Sequence, residues 1–265
     1  MKSIRPTFKR VSLITVLFAM LAFGSAGCSS STRGTKEVSD AERVQMLVEL
    51  ASANLIEGDA THALVSLTNA ESIDHKNPTV FYLFSLAYFQ KHEPELAISA
   101  ARKAIQLKPD YSQAKNTLGK LLLDQGKYSE AEKYLTEAAQ DLMSDDAYLA
   151  KTNLGILYYK RLDYDRAEHW LDRAISDGRD SSCMASYYRG LIYSARNELP
   201  KALNDFTSAS RNQCSQFADG HLAVAKTELR LKKYEVARAK FLEVQQIFPN
   251  SDAADKANLY LKEIP

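Results

Sequence analysis

NTLGKLLLDQGKYSEAEKYLTEAAQD, from Asn116 to Asp141, and TNLGILYYKRLDYDRAEHWLDRA, from Thr152 to Ala174, are two copies of one pattern. Gly119 aligns with Gly155, Ala131 with Ala167, Leu135 with Leu171 and Ala138 with Ala174. The pattern extends outward in both directions. Ala63, Ala97 and Ala131 are spaced by 34 residues, and Ala167, Ala202 and Ala237 follow at steps of 36, 35 and 35. Four residues after each alanine stands Leu67, Ala101, Leu135, Leu171, Phe206 or Phe241, and seven after it Ala70, Ala104, Ala138, Ala174, Ala209 or Val244. Twelve residues before it stands Ala51, Ser85, Gly119, Gly155, Gly190 or Ala225. The apolar residues recur at helical spacing, so each unit reads as two antiparallel helices, A and B. Small residues belong where the two helices cross. A leucine there forces the backbones apart at a cost of roughly 1–3 kcal/mol. Leu50, Phe84, Leu118, Leu154 and Val224 are expected to fill the space between units.

This period and these small residues resemble the tetratricopeptide repeat, over about residues 44 to 249. The resemblance implies an all-α fold, a right-handed superhelical solenoid of six repeats. The aromatic residue expected near the start of helix A survives only as Phe81; Lys115, Lys151, Ser186 and His221 depart from it. Gly58 and Gly126 fall where helix A ends, and Tyr128, Tyr164, Tyr234, Pro94 and Pro200 where helix B begins. The B helices are expected to end near Ile73, Leu107, Asp141, Asp177, Asn212 and Phe248. Residues 251–264, with Ala254, Ala257, Leu261 and Ile264 on one face, read as the helix that caps the last repeat.

The N-terminus reads as an address. Lys2, Arg5, Lys9 and Arg10 precede an uncharged, mostly apolar run from Val11 to Phe23, too short to span a bilayer by itself. Ala26-Gly27-Cys28 then resembles the lipobox of bacterial lipoproteins, which implies a signal peptide over 1–27 and lipidation of Cys28. Cleavage after Ala26 in the Gly24-Ser25-Ala26 pattern is the alternative. Ser29 after the cysteine implies the outer membrane, on its periplasmic face. Residues 28–40 read as a lipidated flexible tether and 41–265 as the repeat domain. Stable anchoring needs more than one acyl chain, at about 0.8 kcal/mol per buried CH2.

The chain carries 34 Lys and Arg against 33 Asp and Glu, so no net charge draws it to nucleic acid. The five histidines show no metal-ligand spacing, and no phosphate-binding loop or nucleophile motif is present. The reading is therefore of a protein that is not an enzyme, with no cofactor, no metal and no small-molecule substrate. Cys183 opens helix A of the fifth repeat and Cys214 follows its helix B, so the two ends lie side by side. A disulfide is expected in an oxidising periplasm, with two unpaired buried thiols as the alternative.

Projected onto the superhelix, helix A lines the concave face. That places Val48, Ser52 and Leu55 there, then Tyr82, Leu86 and Phe89, then Asn116, Lys120 and Leu123, then Thr152, Ile156 and Tyr159, and finally Tyr187 and Leu191. An apolar stripe open to water marks a partner-binding groove for an amphipathic helix or extended segment. Ordinary core in a tight superhelix is the other reading.

A lipobox, a short tether, six repeats and a terminal helix together resemble the PilF/PilW/Tgl family of type IV pilus biogenesis lipoproteins. The closest local likeness is Asn116 to Ala174, including the longer junction LMSDDAYLAK. The resemblance implies a pilotin that helps the pilus secretin reach the outer membrane and multimerise. A periplasmic adaptor for cell-wall hydrolases, or for outer-membrane protein assembly, is the competing reading, prompted by Phe248-Pro249-Asn250-Ser251 at the end of the repeats. Cys28→Ala should strip the mature chain of acyl groups and displace it from the outer membrane. An unchanged acyl mass on that variant contradicts the lipobox reading.

Overall fold

The computed structural model describes residues 38–141, 143–178 and 181–264, so the lipidation expected at Cys28 lies outside the described residues. Within them the chain forms thirteen α-helices and no strand. Six hairpins follow one another: α1 (Asp40–Ile56) with α2 (Ala60–Ile73), α3 (Pro78–Gln90) with α4 (Pro94–Leu107), and α5 (Ser112–Asp124) with α6 (Tyr128–Ala139). Then come α7 (Ala147–Lys160) with α8 (Tyr164–Gly178), α9 (Cys183–Ala195) with α10 (Leu199–Ser208), and α11 (Ala218–Arg230) with α12 (Tyr234–Ile247). The single helix α13 (Asp252–Glu263) closes the stack.

The first helix starts at a capping box. The Ser39 hydroxyl accepts from the Glu42 N–H, and the Glu42 carboxylate accepts from the Ser39 N–H at 2.9 Å. The repeat body thus begins one or two residues earlier than the tether boundary read from composition. The fifth B helix ends at Ser208, not near Asn212; Asn212–Cys214 is a separate 3-10 turn.

The small residues of helix A face the large residues of helix B. A Cβ on Gly119 would stand 2.5 Å from Leu135 Cγ, one on Gly155 2.5 Å from Leu171 Cδ2, and one on Gly190 2.7 Å from Phe206 Cε1. Leu135 and Leu171 are fully buried, as are Leu67 and Phe241 opposite Ala51 and Ala225. Leu118 and Leu154 are likewise fully buried between repeats, and Phe84 and Val224 are buried. Leu50 is the exception: it is 51% exposed. Its register position faces the preceding repeat, and the first repeat has none.

Every A-to-B turn uses one left-handed residue: Gly58, His92, Gly126, Leu162, Asn197 or Lys232, with φ between 59° and 82°. The residue after each turns its N–H back to a carbonyl of the last helical turn, as Asp163 does to Tyr158 at 2.9 Å and Lys233 to Glu228 at 3.0 Å. Four of the six are not glycine, so the turn is imposed by the hairpin and strained where a side chain is present.

Polar pairs stand where aromatic residues were expected. Lys115 reaches Glu137 of the facing B helix at 2.8 Å, and the buried Lys151 pairs with Asp177. Other carboxylates tie successive repeats together. Glu132 accepts from Tyr158 at 2.5 Å and from Arg161 at 2.9 Å. One repeat later Glu168 accepts from Tyr193 at 2.8 Å and from Arg196. Burial, with Glu168 next to it, pushes the Tyr193 hydroxyl up to about 12. At the far end Ala253, Ala254 and Ala257 of α13 are buried, as is Ile264 just after it, and the rings of Phe241 and Tyr260 stack at 5.1 Å.

Gly155→Ala should lower stability by roughly 1–3 kcal/mol, because Leu171 cannot retreat from a packed interior. Leu162→Gly should raise it by ~1 kcal/mol by relieving the left-handed turn. Urea unfolding followed by circular dichroism reads both; equal stabilities for the two variants contradict this packing.

Candidate functional site: the inner face of the solenoid

Each A helix touches the next A helix: α1 meets α3, and the contact passes through α5, α7, α9 and α11 to α13. Among the described residues no two B helices meet comparably. Closer spacing on the A side bends the stack, with the A helices inside the curve. The same closeness divides the residues projected onto that face. Val48, Leu55, Leu123, Thr152 and Ile156 are buried. Ser52, Tyr82, Leu86, Asn116, Tyr159, Tyr187 and Leu191 are half-buried. Phe89, at 43%, and Lys120 are exposed, and the Lys120 ammonium sits 4.5 Å from the centre of the Phe89 ring.

The face opens into a cavity of ≈ 450 Å³ between α5, α7 and α9. Asn116, Lys120, Leu123, Thr152 and Ile156 line it, joined by residues the register projection passed over: Leu149, Asn153, Lys160, Met184 and Tyr188. Leu149 and Met184, 38% and 41% exposed, lie one turn before Thr152 and Tyr187. The i, i+3 neighbour rule was the available signal. Tyr82 borders a smaller cavity of ≈ 50 Å³ shared with Asn116 and Leu149. Val48, Ser52, Leu55, Leu86, Phe89, Tyr159, Tyr187 and Leu191 line neither cavity.

One wall of the inner face is aromatic. Tyr159 meets Tyr188 edge-on at 5.2 Å, Tyr188 meets Tyr187 at 5.7 Å, and Tyr187 meets Phe217 at 5.2 Å. Burial, reinforced by the charge of Asp219, pushes the Tyr187 hydroxyl up to about 12. Burial raises those of Tyr159 and Tyr188 too, so all three stay protonated donors at neutral pH. Edge-on rings form a stiff wall that is apolar with polar tips.

On the cavity floor the Asn153 side-chain amide donates to the Asn116 carbonyl oxygen at 2.9 Å. Lys120 pairs with Asp124 at 2.9 Å. Among the described residues no group of three His, Cys, Asp or Glu could hold a metal ion, and no helix is long and apolar enough to cross a membrane. The site offers shape, apolar contact and a few hydrogen-bonding groups, the equipment of a binding surface.

Cys183 lies at the rim of this cavity, at the start of α9. The structure sets it 5.5 Å from Cys214, Cα to Cα, within the range a disulfide requires.

The tetratricopeptide-repeat family model matches residues 82–147, 116–183, 152–206 and 187–252. Type IV pilus assembly protein PilF of Pseudomonas aeruginosa is 25% identical over 250 residues, covering 89% of this chain and 94% of that protein. The solved structure of Pseudomonas aeruginosa PilF superimposes with a TM-score of 0.70 at 19% identity, over 83% of this chain and 99% of that one. PilW, described as a widely conserved type IV pilus biogenesis factor, gives 0.70 at 22%, over 80% and 97%. Cut9, from the APC/C Cut9–Hcn1 hetero-tetramer, gives 0.73 at 18%, over 83% of this chain and 42% of that one. Such structural likeness carries the fold, and the fold alone does not choose a partner.

Thiol labelling of the non-reduced, unfolded protein should find neither Cys183 nor Cys214 reactive, and reduction should expose both. Two reactive thiols before reduction contradict the pairing.

Proposed function

The chain belongs to the tetratricopeptide-repeat family, and we propose that it is a non-catalytic, lipid-anchored pilotin that assists the type IV pilus secretin to localise and multimerise in the outer membrane. The observation that carries the binding part is the set of apolar side chains left in water on the inner face: Phe89, Leu149 and Met184. Removing such groups from water is worth roughly 25 cal/mol per Å², and a packed helix has no use for them where they stand. The choice of partner rests on the likeness to type IV pilus assembly protein PilF, which spans nearly the whole of both chains. The N-terminal lipid at Cys28 keeps the repeat domain at the membrane where the secretin ring assembles. Holding the partner's segment close raises its effective concentration there without any catalytic step.

In this account the inner face grips a segment of a secretin subunit and releases it as subunits join. The triple variant Phe89→Ser, Leu149→Ser, Met184→Ser changes only exposed groups. It should leave helix content and membrane location intact while abolishing heat-resistant secretin multimers in cell envelopes. Normal multimers in that strain remove the groove from the mechanism.

A further inference from the structure

Resting on the reading of the inner face as a protein-binding groove, we propose that the cavity between α5, α7 and α9 takes an extended segment of the partner. The segment is read through its backbone by Asn116 and Asn153, with an apolar side chain beside Leu149 and Met184 and an acidic one toward Lys160. The bond from Asn153 to Asn116 uses one amide donor and one carbonyl oxygen. The Asn116 amino group and the Asn153 carbonyl oxygen are left over, and both residues line the cavity. A donor and an acceptor side by side match the C=O and N–H of a peptide backbone. In a helical ligand those groups are already spent on one another, whereas an extended ligand has them free.

The dimensions agree. From Leu149 to Lys160, α7 runs about 16 Å at a 1.5 Å rise per residue. A segment of roughly five residues in extended form covers that length. The apolar end, at Leu149 and Met184, lies near the starts of α7 and α9. Lys160 is the last residue of α7, so it marks the other end. Charge decides which end of the segment is acidic. Lys120 is shared with Asp124, whereas Lys160 has no ion-pair partner among the described residues, so this end of the cavity is net positive. A segment with an apolar residue at one end and Asp or Glu roughly five positions away satisfies both ends.

The test uses the full chain in detergent, immobilised, and a phage-displayed library of random linear peptides, so it does not depend on which protein is the natural partner. Enriched peptides should carry an apolar residue and an acidic one roughly five positions apart. Asn153→Ala should weaken the best of them about tenfold, the loss of one or two hydrogen bonds. N-methylation of a single backbone amide in the peptide should weaken it similarly, a change that leaves the protein untouched. Lys160→Ala should erase the acidic preference. No enrichment, peptides that bind Leu149→Lys as well as the parent, or a ligand that is helical in the complex overturns the proposal. Secretin multimers are scored separately in cells. Failure of the extended mode therefore leaves the pilotin reading standing, and failure of the pilotin reading leaves this result interpretable.

Discussion

In every hairpin but the second, where Ala101 stands in the bulky position, the small residue of the A helix packs closely against a bulky side chain of its B helix. Where that residue is Gly119 or Gly155, the room for one methyl group is already taken by Leu135 or Leu171. The contact sets the distance between the helices of a hairpin, and the hairpin forces its turn through a left-handed residue. His92, Leu162, Asn197 and Lys232 accept that conformation although none is glycine. Stacked hairpins then bring successive A helices into contact, which curves the stack and places the A helices inside. The groove is a consequence of close packing several steps upstream.

That chain of causes explains what the sequence could and could not tell. The crossing residues, the hairpin order and the terminal helix follow from period and residue size, and they are local. Leu50 is different: its register matches Leu118 and Leu154, yet it is exposed because, among the described residues, no repeat stands before the first. The left-handed row is marked in residue choice by Gly58, Gly126 and Asn197, whereas at Leu162 and Lys232 the turn is enforced by tertiary packing and leaves no such mark. Lys115 and Lys151 read as departures from the family pattern, but each finds a carboxylate on the facing helix. The cost of burying Lys151 is offset only because Asp177 is in reach.

The same distinction runs through the candidate site. Register places a side chain on the inner side of its helix, but curvature decides whether it becomes floor or surface. Ile156 and Leu123 became floor, Phe89 stayed surface, and Leu149 and Met184 joined them from the preceding turn. Curvature arises from contacts between residues more than thirty positions apart, and no periodic reading of one repeat contains it. The resulting surface has an aromatic wall, a pair of carboxamides and an unshared lysine, a combination suited to holding a polypeptide.

We propose that this inner face holds a secretin segment. A photo-crosslinking amino acid placed at Met184, at the mouth of the cavity, tests it in living cells, with Lys133 on α6 as the control position. Position 184 should give a covalent adduct with the secretin, and position 133 none. No secretin adduct from position 184, or equal adducts from both, would contradict it.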